Sequence, residues 1–130
     1  MQRRYRVLLA AQSEALKVLE PILDPFGEII AVHTTADAFH ALDRGGIDVI
    51  VCTIAFDDSR MIDFLQAVKR TLNFGSIPFV CVRALQSVLT DQAVENCRKV
   101  SLQCGAAVFL DIAKLGKDEA AKAFATSLKR

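Results

Sequence analysis

The stretch "GGIDVIVCTIAFDDSRMIDFLQAVKR", residues 45–70, decides the fold. It opens on two glycines, which tolerate the positive φ of a helix terminus and so close whatever helix precedes them. An apolar run follows, "DVIVCTI" (48–54), rich in Val and Ile. Its brevity and composition predict a strand buried on both faces. From about residue 60 to residue 72 the period changes. Met61, Phe64, Leu65, Val68 and Leu72 recur at helical spacing, on one face. The stretch is therefore one strand followed by one amphipathic helix.

The same alternation extends in both directions. "YRVLLA" (5–10), "EIIAVH" (28–33), "PFVCV" (78–82) and "AVFL" (107–110) read as four further strands. Between them, Ala15, Leu16, Leu19, Ile22 and Leu23 follow a helical period. Further helices are expected over about 35–44, 87–103 and 117–129. Pro21 is expected to kink or break the first helix, because it lacks an N–H and its ring clashes with the Lys17 carbonyl. "DPFG" then closes it, with Gly27 suited to a turn. Thr34 and Asp37 resemble a capping box. The fourth helical segment is long, with Val94, Cys97, Val100, Leu102 and Cys104 as a mixed apolar face. Its excess either lengthens the helix or forms an extra turn before Thr90-Asp91, a good N-cap. The last helix carries Ala120, Ala121, Phe124 and Leu128.

Strands joined by helical crossovers run parallel, and right-handed crossovers place helices on both faces. The expectation is one α/β domain over residues 1–130. It is a doubly wound five-stranded parallel sheet, (βα)5, of order 2-1-3-4-5. Its ligand site should lie past the carboxyl ends of strands 1 and 3.

Composition narrows the function classes. A chain of 130 residues suits a single domain. Its 52% hydrophobic and 24% charged content suits strands covered on both sides. The net charge of +1 gives no broad attraction to nucleic acid or to a membrane. No apolar run approaches the ~20 residues that span a bilayer. "MQRRYRVLLAAQ" reads as a first strand rather than a signal peptide, so the cytosol is the expected compartment. Cys52, Cys81, Cys97 and Cys104 show no C-x-x-C spacing and read as small buried thiols. A metal site would need His33 or His40 in addition. No acid–base pair or Cys–His pairing marks the chain as an enzyme.

Four segments carry a family likeness: "RVLLAAQ" (6–12), the opening stretch at 45–70, "IPFVCVRAL" (77–85) and "CGAAVFLDIAKL" (104–115). In pattern and spacing the whole chain resembles the response-regulator receiver family of bacterial two-component phosphorelay signalling. The resemblance implies an aspartate ending strand 3 that accepts a phosphoryl group. It implies two acids after strand 1 that help hold Mg²⁺, a Ser or Thr after strand 4, and a Lys-Pro after strand 5. Carried onto this sequence, the acid pair falls on Ala11 and Gln12 and the phosphoacceptor on Thr53. The Ser/Thr position falls on Arg83, the Lys on Ile112 and the Pro on Ala113. None of these residues has the chemistry that the family uses. The chain thus reads as a pseudo-receiver, without cofactor or metal, that acts by phosphorylation-independent protein contact.

Asp57 and Asp58 lie just past strand 3 and read as loop acids, one of them a candidate cap for the third helix. Thr53, at a strand end beside a packed pocket, is a poor kinase target. His33 and His40 read as a cap-region and a packing residue. Arg83 is always charged and pairs well with carboxylates. Asp111 is its expected partner and Asp57 another. Three outcomes stand open. The bridge locks the pocket, or Arg83 simply points into water, or Arg83 and strand-end amides receive a small anion or nucleotide, which would make the chain a ligand sensor. The resemblance places the partner or homodimer face on the fourth helix, fifth strand and fifth helix. Leu85, Val88 and Leu89 are apolar there, with Arg98, Lys99 and Lys122 on the rim; they form an exposed patch, or they pack down and leave the charges as ordinary solvated groups.

Overall fold

The computed structural model of the chain describes residues 4–86 and 89–128. Its sheet has five parallel strands among the described residues, β1 (Tyr5–Ala10), β2 (Gly27–Val32), β3 (Val49–Thr53), β4 (Phe79–Arg83) and β5 (Val108–Asp111). Their spatial order is β2-β1-β3-β4-β5, the order expected from the sequence. The crossover helices are α1 (Ser13–Leu23), α2 (Thr35–Asp43), α3 (Met61–Arg70), α4 (Asp91–Gln103) and α5 (Lys117–Leu128). A four-residue turn, Phe56–Ser59, also lies between β3 and α3.

Every residue of β3 and β4 is buried, which explains their unbroken apolar runs. The two faces of the sheet carry separate cores. One gathers Leu8, Ile50, Cys52, Phe64, Phe79 and Cys81 with residues of α2, α3 and α4. The other gathers Val7, Leu9, Val51, Val80 and Val82 with residues of α1 and α5. Phe64 anchors the first, with ring centroids 5.4 Å from Phe39, 5.4 Å from Phe56 and 5.6 Å from Phe79. Cys52 and Cys81 stand in register on β3 and β4, and half-buried Cys97 and Cys104 pack against the same core. Among the described residues no group of three His, Cys, Asp or Glu side chains is placed to hold a metal ion. No described helix is long and apolar enough to cross a membrane.

Four expectations are corrected. Helix α1 runs through Pro21 to Leu23. The proline sits in the last turn, so only its own bond to Lys17 is forfeited before the chain tightens into a 3₁₀ turn at Asp24–Phe26. Helix α3 ends at Arg70, and Leu72 lies beyond it, 97% exposed rather than on the apolar face. Helix α4 starts at Asp91, not near 87. The Thr90 hydroxyl accepts from the Ala93 N–H (3.2 Å), and the described residues between β4 and that cap, 84–86 and 89–90, lie outside the helix. Val94, Cys97, Ser101 and Cys104 face inward on α4, whereas Val100 and Leu102 are exposed. Gly27 is needed for close approach, since a Cβ there would lie 2.0 Å from the Tyr5 carbonyl oxygen.

Candidate functional site at the strand carboxyl ends

The carboxyl ends of β1 and β3 bring Gln12 and Thr53 together. Thr53 is buried, and its hydroxyl donates to Gln12 Oε1 at 2.8 Å. Ala11 is buried beside them, and its carbonyl accepts from His33 Nδ1 at 2.8 Å. A carbonyl can only accept, so the proton of that bond sits on Nδ1. Ile112, just past the end of β5, is a buried aliphatic group. The strand-end set is thus a methyl, an amide, a hydroxyl and an aliphatic chain, with the amide oxygen and hydroxyl bonded to each other. A hard divalent cation such as Mg²⁺ selects carboxylate oxygens, and this set offers none.

Asp57 and Asp58 occupy the loop above. The Asp57 carboxylate accepts from the Thr35 N–H and the Thr35 hydroxyl, both at 2.8 Å. Those two bonds, with Arg60 adding to them against some burial, hold its pKa below the usual carboxylate range. The expected bridge from Arg83 to Asp57 is therefore corrected. The expected cap on the third helix is corrected too, because Asp57 caps the start of α2, reached across the sheet rather than along the chain. Holding that position bends the backbone. Asp57, Asp58 and Ser59 have φ of 48°, 59° and 63°, three successive non-glycine residues in the left-handed region. Such residues cost roughly 1–2 kcal/mol each. Buried Phe56 and Met61 pin the turn at either end. Ser59→Gly should raise stability by about 0.5–1 kcal/mol in urea denaturation, the relieved strain outweighing the entropy that glycine adds to the unfolded chain.

Arg83 is the dominant electrostatic feature. Its side chain is 3% exposed. Nη1 donates to Asp91 (3.1 Å) and to Asp111 (3.2 Å). Nη2 donates to the carbonyls of Gln86 (2.9 Å) and Leu89 (2.8 Å). Nε is buried with no hydrogen-bond acceptor. Burial works against the charge, but the bonds to Asp91 and Asp111 more than offset it, and the pKa is raised. Asp91 also takes Lys114 at 2.9 Å, and the bonds from Lys114 and Arg83 hold it below the usual carboxylate range. One guanidinium therefore ties the end of β4 to its following loop, to the first residue of α4 and to the end of β5. Asp111, expected from the sequence, is one partner. Asp91 takes the place given to Asp57, and the two carbonyls carry no sequence signal.

On the adjoining face, Leu85 and Leu89 are half-buried and pack against the two cores, while Val88 lies outside the described residues. Arg98 is paired with Glu95 at 2.6 Å. Lys99 and Lys122 are exposed. The exposed apolar residues there are Val100, Leu102 and Leu115.

Solved structures match this architecture across nearly its whole length. A protein assigned as a response regulator from Chloroflexus aurantiacus superposes with a TM-score of 0.78 at 13% identity, over 98% of this chain and 100% of that one. The fold is that of a receiver domain. The chemotaxis response regulator CheY4 of Vibrio cholerae gives a TM-score of 0.72 at 14% identity, covering 98% and 100% of the two chains. The receiver domain of the sensor histidine kinase PA1611 from Pseudomonas aeruginosa, which has a magnesium ion coordinated in its active-site cleft, gives 0.72 at 17%, covering 97% and 98%. No protein-family model and no curated protein matches the sequence. A receiver fold thus places Ala11, Gln12, Thr53, Arg83 and Ile112 around its strand ends, with chemistry unlike that implied by the family pattern.

Proposed function

We propose that this chain is a receiver-like signalling domain that no phosphoryl group switches, and that it works by presenting the α4–β5–α5 face to a protein partner. The Arg83 clamp carries this reading. In a switchable domain, the loop after the fourth strand answers to a charge that comes and goes. Here a permanent cation inside the protein holds Gln86, Leu89, Asp91 and Asp111 together. The neutral Thr53–Gln12 pair supports the same conclusion, since it offers no carboxylate to phosphorylate and no anchor for Mg²⁺. The anion-sensor alternative would require Arg83 to release four acceptors before it could receive a ligand.

The test is direct. Incubation with Mg²⁺ and beryllium fluoride, or with acetyl phosphate, should leave the intact mass and the amide NMR spectrum unchanged. A stable acyl phosphate on any aspartate, or Mg²⁺-dependent shifts centred on Gln12 and Thr53, would overturn the proposal.

A further inference from the structure

The order β2-β1-β3-β4-β5 leaves β2 as an outer edge that no described strand pairs. Val32 O accepts from Ala11 N, so Val32 aims its backbone groups at β1. Alternation along a strand then aims those of Ile29 and Ala31 outward. Open edges invite another strand unless they are blunted by a lysine, a proline, a bulge or a cover. The sequence of β2, GEIIAV, has neither lysine nor proline, and its one charge, Glu28, is turned back onto Arg6 at 3.2 Å. Beside this edge lies a groove lined by Ile30, Ala31 and Val32 of the strand and by Asp37, His40, Ala41 and Arg44 from α2 and its end. The polar members of that stripe, Asp37, His40 and Arg44, are all exposed.

The charge order decides the occupant. Asp37 and Arg44 stand at opposite ends of the stripe, seven residues apart in the sequence. A two-fold axis perpendicular to the sheet would run two copies of β2 antiparallel and lay two α2 helices side by side in opposite directions. Each Asp37 then meets the partner's Arg44, and His40 meets the partner's Ala41. Such a surface is complementary to itself, which is the requirement for an isologous dimer. The same axis, passed through Ile30, pairs Ile29 with the partner's Ala31, two of the residues whose backbone groups point outward. We infer that β2 and α2 form a homodimer interface that joins two sheets into one of ten strands, separate from the α4–β5–α5 face.

Sedimentation equilibrium over a concentration series tests this. The expected result is a dimer with a dissociation constant tighter than about 1 mM. Arg44→Asp sets like charges against each other twice and should weaken association at least tenfold. The double exchange Asp37→Arg with Arg44→Asp restores the pairing and should recover it. Circular dichroism confirms that each variant is folded. A wild-type monomer at every concentration overturns the inference, as does an Arg44→Asp variant that dimerises unchanged or a double exchange that fails to recover. Dissociation by Val100→Glu with Arg44→Asp inert would move the dimer to the α4–β5–α5 face instead.

Discussion

Arg83→Met should lower stability by roughly 2–3 kcal/mol and release the loop that follows β4. Methionine keeps most of the buried volume, so the loss reports the guanidinium rather than a cavity. The part-buried carbonyls of Gln86 and Leu89 lose their donor, and an acceptor left unmet costs about 1–3 kcal/mol where water does not reach it. The carboxylates contribute less, because Asp91 is 70% and Asp111 37% exposed and water can solvate both. Amide hydrogen exchange should quicken in residues 84–92 while β1 and β3 stay protected. Arg83→Lys should rescue little of this, since one ammonium cannot face two carboxylates and two carbonyls in a planar fork. Unchanged exchange in that loop would show that the clamp does not fix its position.

Alkaline pH should unfold the chain through its thiols. Burial pushes the Cys81 thiol up to about 12, with the neighbouring Cys97 and Cys104 adding to the shift and a Ser101 hydrogen bond opposing it. In the unfolded chain the same thiol ionises near its ordinary value of 9.0. Its contribution is fully present below that pH and is lost as pH rises toward the folded value. In that window the unfolded state sheds a proton that the folded state keeps. About three pH units at 1.36 kcal/mol each amounts to roughly 4 kcal/mol. Cys52 moves in the same direction, chiefly through burial. Urea denaturation between pH 8 and 11 under reducing conditions should show the decline, and Cys81→Ala should make it shallower, leaving the part that Cys52 carries. A parallel decline in Cys81→Ala would assign the alkaline loss to other groups.

The architecture was legible because buried parallel strands write themselves as short Val/Ile runs and surface helices as a repeating apolar stripe. "DVIVCTI" and the helix after it needed no tertiary information. Pro21 misled because the rule for helix interiors does not govern a last turn. Leu72 misled because helical spacing cannot show that the helix has already ended. At the strand ends, the register with a known pattern located Arg83 and its Asp111 partner. Asp91 rather than Asp57 meets Arg83, and Asp57 instead caps α2, because each bond spans separate elements and only the packed chain decides which acid reaches which donor. Three left-handed residues at 57–59 were invisible for the same reason: the residue types permit that backbone without demanding it.

The Tyr5 hydroxyl donates to the Leu128 carbonyl at 2.8 Å. The first strand therefore begins beside the point where the last helix ends, at the end of the sheet away from Arg83. A short new peptide could join them, and the chain could be reopened between Asp58 and Ser59, where the backbone is most contorted. Such a circular permutant should keep the receiver architecture while shedding the tension of that turn.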